Sequence, residues 1–325
     1  MNEIVSIVVP VHNEEQVLAE LYRRLTSQMA GIGYSYEVIF VDDGSRDATL
    51  EIVTGFCESD KSIVVIELSR NFGKEAAVSA GLDVAIGDAV IVIDADLQDP
   101  PELISEFLSA WREGYDVVYG VRRTRDGDTW LKRKSASAFY RLLNSLSDVE
   151  IPENAGDFRL LSRMAVDALK SMNERHRYMK GLFAWVGYRQ KAIFYDRDSR
   201  FAGETKWSYW QLWTLALEGL TSFTDVPLKL ATYLGVFTSG LSFLYGIYFL
   251  FRTLIFGNPI PGYPSLILVV LFLGGVQLIC LGILGEYLAR TYSESKQRPL
   301  YLVRSMTSNR HRGHIDSEGQ AHNEN

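Results

Sequence analysis

The stretch that decides the fold is the apolar run Val90-Ile91-Val92-Ile93, which continues directly into Asp94-Ala95-Asp96. Four consecutive Val and Ile residues are typical of a buried strand in a parallel sheet. Two carboxylates one residue apart at a strand end can hold a hard cation, because Mg²⁺ and Mn²⁺ prefer oxygen ligands. An Asp-x-Asp pair is common by itself. Its place at a strand end, ahead of residues 97–101, favours a metal site at Asp94 and Asp96.

Further apolar runs alternate with helix-like stretches along the first half of the chain. They predict strands at Ile4–Val9, Val38–Val41, Ile63–Leu68, Ala89–Ile93 and Val117–Tyr119. Helix starts are predicted at Asn13, at Ser45 ahead of Ala48–Cys57, and at Pro100-Pro101 ahead of Glu102–Trp111. This alternation indicates an α/β fold with a mainly parallel sheet, in which ligands usually bind beyond the carboxyl ends of the strands.

The composition of the 325 residues excludes several classes of protein. With 47% hydrophobic and 22% charged residues, the chain is neither disordered nor fibrous. The net charge of -7 argues against a surface that binds nucleic acid, so we expect no nucleic-acid partner. Two cysteines, Cys57 and Cys280, are too few for a disulfide framework or a multi-thiolate metal site.

Polar loops follow three of the other predicted strands, at residues 10–15, 42–45 and 69–75, and together they predict a nucleotide pocket. In this pocket Asp43 would accept the ring N–H of uracil, Gly44 would allow a close backbone approach, and Lys74 would meet phosphate. Taken singly, each loop is better explained by turn or helix-cap residues, and only their joint occurrence favours a pocket. The predicted pocket residues are Pro10, Val11, Asn13, Glu14, Asp42, Asp43, Lys74, Asp94, Ala95 and Asp96.

Two long uncharged stretches lie in the last third of the chain, at Leu230–Phe251 and Thr253–Gly285, the second being most apolar from Leu266 to Leu284. About 20 apolar residues in a helix cross a hydrocarbon core of about 30 Å. We therefore predict a two-helix transmembrane hairpin, with a turn at residues 258–264 that is rich in Pro and Gly. The alternative is a pair of buried helices in a large soluble core.

The charges that flank these stretches predict their orientation. Arg252 is the only cation between the two apolar cores, whereas several cations follow the second core: Arg290, Lys296, Arg298, Arg304, Arg310 and Arg312. By the positive-inside bias, both termini and the amino-terminal domain face the cytosol. The first residues carry no secretory signal, so we expect a multi-pass protein of the cytoplasmic (inner) membrane.

Three tryptophans, Trp207, Trp210 and Trp213, precede the first stretch at every third position. They favour a helix at residues 206–223 that lies at the cytosolic membrane surface, the alternative being a Trp-rich core helix. The predicted domains are an α/β domain at 1–205, an interfacial helix region at 206–228, the hairpin at 229–289 and a cytosolic tail at 290–325, which we expect to be disordered after Met306. The sequence leaves the oligomeric state open, and a homo-oligomer is one of the alternatives.

The ordered set of motifs resembles glycosyltransferase family 2, in particular its polyprenyl-phosphate branch of dolichyl-phosphate mannosyltransferases and bactoprenol glucosyltransferases. The resemblance is carried by residues 6–15, 41–47, 69–75, 94–102, 156–160 and 177–185, and it continues into the hairpin. It implies a GT-A fold, a nucleotide-sugar donor, Mg²⁺ or Mn²⁺ at Asp94 and Asp96, and inversion at the anomeric carbon.

The resemblance also implies a catalytic carboxylate at Asp157, in Gly156-Asp157-Phe158-Arg159, which would act beside Asp96. A lipid phosphate has a second pKa of about 6, so it is largely deprotonated at neutral pH and scarcely needs a base. We therefore expect Asp157 to orient the acceptor or a sugar hydroxyl. The alternative is a carboxylate that pairs with Arg159 or caps a helix.

A basic cluster within this acidic chain predicts where an acceptor phosphate binds, and it consists of Arg122, Arg123, Arg125, Lys132, Arg133 and Lys134. The resemblance places acceptor contacts in this region, which favours Arg122 and Arg133, with Ser137 one helical turn after Arg133. Arg200 and Lys206 would meet the donor diphosphate or the acceptor phosphate from a loop that contains Gly203. The alternative for all of these is a solvated face or a general attraction to anionic lipids.

These features together favour an enzyme that transfers glucose from UDP-glucose to undecaprenyl phosphate on the cytosolic leaflet, giving a β-linked lipid-phosphate sugar and UDP. Sugar choice depends on a few hydroxyl contacts, so GDP-mannose and UDP-4-formamido-arabinose stay open as donors. A membrane-bound sugar-nucleotide sensor without turnover is the alternative from another class of protein.

Overall fold

A computed structural model of the chain describes residues 3–123, 155–172, 174, 177, 179–196, 224, 226–256 and 262–308. The strands in these residues are β1 (Ile4–Val11), β2 (Ser35–Asp42), β3 (Ile63–Leu68), β4 (Ala89–Val92), β5 (Val117–Arg122), β6 (Ala155–Ser162), β7 (Gln190–Tyr195) and β8 (Val303–Ser308). The helices are α1 (Leu18–Ile32), α2 (Thr49–Ser59), α3 (Lys74–Val84), α4 (Ile104–Arg112), α5 (Arg163–Ser171), α6 (Met179–Trp185), α7 (Val226–Phe256) and α8 (Tyr263–Ser295).

The described strands form one mixed sheet in the order β7-β5-β6-β4-β1-β2-β3-β8. Its centre, β4-β1-β2-β3, is parallel throughout, whereas β6 runs antiparallel to both β4 and β5. The predicted α/β fold with a mainly parallel sheet is confirmed, and all five predicted strands are present. The antiparallel strands at both sides of the parallel centre were not predicted.

The parallel centre places the strand ends where polar loops meet. Val90, Ile91 and Val92 in β4 are almost completely buried, as expected for a strand that is covered on both faces. β4 pairs with β1 up to Val8 and Val92, and the N–H of Ile93 then donates to the carbonyl of Val8 at 3.1 Å. Asp94 therefore emerges at the carboxyl edge of the sheet, next to the loop that follows β1.

One predicted helix start is wrong, and a second is confirmed to within one residue but lacks its predicted cap. Helix α1 begins at Leu18 rather than after Asn13, and α2 begins at Thr49 without a side-chain cap from Ser45. Asn13 has a left-handed backbone (φ 56°), and its Oδ1 accepts the N–H of Arg46 at 2.8 Å. Ser45 Oγ accepts the N–H of Asn13 at 3.0 Å. Both polar residues therefore join the loop after β1 to the loop after β2 instead of capping helices.

The predicted start at Pro100-Pro101 is confirmed. Pro101 opens a 3₁₀ turn, Pro101–Leu103, that leads directly into α4. A proline suits this position because its missing N–H would have no partner in the first turn of a helix.

Helices α7 and α8 form a separate compact unit, and both are long and apolar enough to cross a membrane. The structure extends the first predicted span through Arg252 to Phe256 and begins the second at Tyr263, so Pro264 lies in the first turn of α8 instead of in the connecting turn. The helices contact each other where Sγ of Cys280 in α8 donates to the carbonyl of Ala231 in α7 at 3.5 Å. Most large apolar side chains of this unit are exposed.

The chain returns to the α/β sheet after α8. Residues 303–308 form β8, which pairs antiparallel with β3. The expectation of disorder after Met306 is therefore wrong for Thr307 and Ser308, and the later residues lie outside the described part of the chain. Strand β8 is polar, with an Arg, two Ser and a Thr among its six residues, so no alternating pattern identified it.

The position of α3 on the sheet depends on Gly81. A Cβ atom built on Gly81 would lie 2.2 Å from Cγ1 of the buried side chain of Val8 in β1. This contact lets the helix approach the strand closely, and α3 carries Lys74 at its amino end.

We expect Gly81→Ala to lower the free energy of unfolding by about 1–3 kcal/mol, since the new methyl group overpacks the interface between α3 and β1. Thermal and denaturant unfolding of the purified full chain in detergent measures the change. Gly31→Ala in α1, whose Cβ would meet no atom within 4 Å, is the matched control and should leave stability unchanged or slightly raised. The double variant Val8→Ala/Gly81→Ala should regain stability relative to Gly81→Ala; no regain would contradict the packing argument.

Candidate functional site

A cavity of about 300 Å³ lies at the carboxyl edge of the sheet, where the loops after β1, β2, β3 and β4 meet. Its walls include most of the predicted pocket residues, namely Pro10, Val11, Glu14, Asp43, Lys74, Asp94, Ala95 and Asp96. The other two, Asn13 and Asp42, line a neighbouring cavity of about 630 Å³. His12 and Asn71 contribute to both cavities, so the two spaces adjoin.

The ammonium group of Lys74 connects three elements within this site. Lys74 is the first residue of α3, and its Nζ lies 2.7 Å from Oδ1 of Asp94 after β4 and also contacts Oδ2 of Asp157 in β6. The Lys74 side chain is 42% exposed, so the cluster is open to solvent. A second cation, Lys180 of α6, places its Nζ 3.7 Å from Oδ1 of Asp157.

The charges of this cluster fix the protonation of its members. Burial alone would raise the pKa of Asp157, but the ammonium groups of Lys74 and Lys180 hold it well below its ordinary value. Burial likewise disfavours the charged form of Lys74, yet Asp94 and Asp157 raise its pKa above the ordinary value. Asp157 is therefore a carboxylate and Lys74 an ammonium at neutral pH, and neither is poised to exchange a proton.

Asp94 differs from Asp157 in its surroundings. Burial raises the pKa of Asp94, Lys74 opposes this change, and the charge of Asp157 adds to it. The Oδ1 atom of Asp94 is buried and makes no hydrogen bond, although it lies close to the ammonium of Lys74. Such an oxygen has lone pairs available for a further cationic partner.

The donor set at this strand end fits Mg²⁺ or Mn²⁺. Asp94 and Asp96 line the same cavity, and such ions commonly take one or two protein carboxylates and complete their shell with water and phosphate oxygens. One oxygen of Asp96 already accepts the N–H of Gln98 at 3.2 Å. Within the described residues no group of three or more His, Cys, Asp or Glu side chains is placed to hold a metal, so protein ligands alone would not complete the shell.

The carboxylate of Asp43 organises the loop between β3 and α3. Its two oxygens accept the N–H groups of Phe72 at 2.7 Å and Gly73 at 2.9 Å, and the residue is only 4% exposed. Burial raises the pKa of Asp43, and the two N–H donors oppose this change. Gly44 sits under the same loop, because a Cβ there would lie 2.7 Å from the nitrogen of Asn71. A contact between Asp43 and a uracil ring stays a prediction.

The loops after β1 and β2 are tied together by their polar residues. Glu14 donates its N–H to Thr49 Oγ1 at 2.8 Å, and Asp42 accepts the N–H of Ser45 at 3.2 Å. His12 Nδ1 lies 2.9 Å from the carbonyl oxygen of Asp43. These contacts hold together the two loops that line both cavities. Any contact of Asn13, Glu14 or Asp42 with a nucleotide stays a prediction.

Two residues of the cluster were not among the predicted site residues. Lys180 lies in a stretch that carried the family resemblance, and its position after a Tyr-Met pair gave no indication of its partner. Glu75 follows Lys74 on α3; burial, reinforced by the charge of Asp157, raises its pKa to about 7. The sequence contains no signal for such a shift, because it depends on β6 folding against α3.

Arg122 at the end of β5 has partners inside the domain. Its Nη2 lies 3.6 Å from the buried carboxylate of Asp99, and its Nε donates to the hydroxyl of Tyr195 at 3.4 Å, while that hydroxyl also donates to Asp99. The predicted acceptor-phosphate role of Arg122 stays a prediction. The other residues predicted for that role, Arg133, Ser137, Arg200 and Lys206, lie outside the described residues, as does the Trp-bearing helix at 206–223.

The charge of Arg159 helps to lower the pKa of Asp157. The Arg159 guanidinium donates to the carbonyl of Gly156 at 2.8 Å and lies 3.8 Å from the centre of the Phe183 ring. The ion-pair contacts of Asp157 are with Lys74 and Lys180.

Comparisons with known proteins identify two matching family models and similar solved structures. A family model described as Glycosyl transferase family 2 matches residues 6–170, and one described as GtrB C-terminal hairpin matches residues 226–291. Glucosyl-3-phosphoglycerate synthase from Mycobacterium tuberculosis, solved with Mn2+, UDP-glucose and phosphoglyceric acid, is similar with a TM-score of 0.46 and 19% identity over 68% of this chain and 79% of that chain.

Curated relatives match over almost the whole chain. An uncharacterized glycosyltransferase of Synechocystis sp. is 53% identical over 298 residues, which are 92% of this chain and 94% of that protein. A bactoprenol glucosyl transferase of Shigella phage SfV is 48% identical over 301 residues, 93% of this chain and 98% of that protein. The chain is therefore a glycosyltransferase and belongs to glycosyltransferase family 2.

Proposed function

We propose that this glycosyltransferase transfers glucose from UDP-glucose to undecaprenyl phosphate, with inversion at the anomeric carbon, on the cytosolic face of the inner membrane. An oxygen of the lipid phosphate attacks the anomeric carbon while the bond from that carbon to the diphosphate breaks, and UDP leaves with the bonding electrons. The product is a β-linked lipid-phosphate glucose.

The observation that carries this proposal is the family of relatives that match along nearly the full chain. A bactoprenol glucosyl transferase, 48% identical, shares both the amino-terminal domain and the carboxy-terminal hairpin with this chain. The cluster of Lys74, Asp94 and Asp157 favours an active enzyme rather than a sensor that binds the donor without turnover. It combines fixed charges of both signs beside an open cavity, and such charges can stabilise a transition state.

The roles of the cluster follow from its protonation. Asp157 stays ionised, and an acceptor phosphate is largely deprotonated at neutral pH, so no general base is required. Asp157 instead fixes the ammonium of Lys74 and orients the acceptor or a sugar hydroxyl. Lys74, with 42% of its side chain exposed, keeps N–H groups available for phosphate oxygens of the donor.

Asp94 and Asp96 would hold the divalent ion. When bound, Mg²⁺ or Mn²⁺ supplies positive charge that stabilises the diphosphate as its bond to carbon breaks. The two carboxylates differ in their contacts, since Asp94 faces Lys74 while Asp96 accepts a backbone N–H in its own loop.

The hairpin and β8 support the membrane location. α7 and α8 are each long enough to cross a bilayer, and the chain joins the same sheet before α7 and after α8. This arrangement supports a hairpin with both ends on one side of the membrane, and the flanking cations favour the cytosol as that side. A catalytic domain held there meets a lipid whose phosphate lies at the membrane surface.

We expect the purified full chain, supplied with UDP-glucose, Mg²⁺ and undecaprenyl phosphate, to release UDP only when the lipid is present. Coupled detection of UDP and mass spectrometry of the lipid measure the reaction. Release of nucleotide from GDP-mannose or UDP-4-formamido-arabinose instead would replace the proposed donor. Donor binding without lipid-dependent product from any of these donors would favour the sensor and reject the reaction.

We expect Asp94→Asn and Asp96→Asn each to lower kcat at least about 100-fold, since each removes a charge from the site that holds the ion at the leaving diphosphate. Asp167→Asn on α5, whose carboxylate is 60% exposed and forms a surface pair with Arg163, is the matched control and should retain activity. Membrane insertion should be unchanged in all three. Turnover by Asp94→Asn or Asp96→Asn at the rate of the control would reject the metal-holding role.

Glu75 should give donor binding a dependence on pH. Because its pKa is about 7, Glu75 gains a negative charge as the pH rises from 6 to 8 and then repels the donor diphosphate. We expect KM for the donor to rise by about fivefold over this range, and Glu75→Gln to remove the rise. Glu51→Gln, on the exposed side of α2, is the control and should behave as the unmodified protein. The same rise in Glu75→Gln would contradict this role.

A further inference from the structure

The segment that follows the hairpin forms part of the donor side of the α/β domain. β8 pairs with β3, and the carbonyl of Leu302 accepts the N–H of Ser69 at 2.8 Å just beyond that ladder. The hydroxyl of Tyr301 donates to Asp83 of α3 at 2.6 Å. Residues 301–308 therefore contact both the strand that ends at the donor cavities and the helix that carries Lys74.

Arg304 occupies a special position in this strand. The ladder pairs Glu67 with Ser305 and then Leu68 with Val303, so Arg304 is an extra residue opposite a single step of β3. A bulge of this kind leaves one residue without a ladder partner and redirects its side chain, and bulges often lie next to active sites. The side chain of Arg304 is accordingly free to reach along β3 toward the end of the strand.

The Arg304 guanidinium makes two contacts at that end. Its Nη1 donates to Oε1 of Glu67 at 2.8 Å, and its Nη2 donates to the carbonyl oxygen of Ser69 at 3.2 Å. The two acceptors flank the point where β3 gives way to the loop at residues 69–73. Arg304 thus fixes the start of this loop from outside the parallel core.

The same loop organises the donor side of the site. Its far end supplies the N–H groups of Phe72 and Gly73 to the Asp43 carboxylate, and it leads directly into Lys74. Its middle, Arg70 and Asn71, lines the cavity of about 630 Å³ together with Arg304 and Asp42. That volume lies within the range of about 300–1,000 Å³ that is typical of small-molecule sites.

We propose that Arg304 is a positioning residue for the donor nucleotide: it holds Glu67 and the loop at residues 69–73 in the form that makes the wall of the larger cavity. This inference rests on the proposed function, in which the donor is a nucleotide sugar. It extends the donor site to a strand that follows the hairpin in the chain.

A purely structural role for Arg304 would have a different signature. The backbone ladder of β8 and the contact of Cys57 Sγ with the Thr307 carbonyl at 3.6 Å hold the strand without this side chain. The Arg304 side chain is 62% exposed, and ion pairs of that exposure contribute little to stability. Its removal should therefore change the cavity wall more than the stability of the domain.

The test compares Arg304→Ala, Arg304→Lys and the control Arg23→Ala in the full chain. Arg23 is matched to Arg304 because its side chain is 66% exposed and pairs with a carboxylate, Glu20, at 2.6 Å. Calorimetry measures binding of UDP, steady-state kinetics measure KM for UDP-glucose and for the lipid phosphate, and thermal unfolding measures stability.

We expect Arg304→Ala to raise the Kd for UDP and the KM for UDP-glucose about fivefold, with KM for the lipid, kcat and the unfolding temperature nearly unchanged. Arg304→Lys keeps one donor to Glu67 and should be intermediate, and Arg23→Ala should equal the unmodified protein. If Arg304→Ala does not fold, the intermediate shift in Arg304→Lys decides the question.

Unchanged UDP affinity in Arg304→Ala, or equal weakening for donor and lipid, would overturn the inference while leaving the proposed reaction intact. If the unmodified protein binds GDP and not UDP, the proposed donor is wrong and the same comparison is made with GDP. If Arg304→Ala does not fold and Arg304→Lys binds UDP with full affinity, the positioning role is also overturned.

Discussion

The ion contacts of Lys74 with Asp94 and Asp157 are the constraint on which the site depends. These three residues belong to α3, to the end of β4 and to β6, so the contacts exist only when a helix, a parallel strand and an antiparallel strand are all in place. Buried or half-buried charges need partners, since an unpaired one would be strongly destabilising. Gly81 permits the approach of α3 to β1 that brings Lys74 within reach. Packing far from the cavity therefore sets the electrostatics inside it.

The sequence was most informative where one residue pattern has one physical solution. The run from Val90 to Ile93 has no polar residue, so it must be buried on both faces, and the only place for the two following aspartates is the edge of the sheet. The same reasoning located the loops after β1, β2 and β3, and the cavity is lined by the residues it selected. The two apolar helices were equally clear, because neither apolar core, Leu230–Phe251 or Leu266–Leu284, contains a charged residue.

The errors have a common physical cause. Asn13 and Ser45 have the chemistry of helix caps, but their side chains are satisfied by the backbone of a neighbouring loop, and only the folded sheet brings those loops together. β8 was missed because a polar edge strand needs no alternating apolar face when its backbone pairs with β3. Lys180 and Glu75 acquire their roles from long-range contacts with Asp157 that no local pattern encodes. Local sequence thus located the strand ends, and tertiary pairing determined which side chains meet there.

The return of the chain to the sheet as β8 constrains the hairpin in a way that apolar length alone does not. α7 and α8 are two helices of sufficient length to cross a bilayer, and β7, which precedes them, and β8, which follows them, belong to one sheet. β8, which follows α8 in the chain, pairs with β3, and the loop after β3 leads to Lys74. A change in the position of residues 301–308 would therefore act on the loop at residues 69–73 through hydrogen bonds. Through Phe72 and Gly73 that loop reaches Asp43, and through its last residue it reaches the ammonium group shared by the two carboxylates.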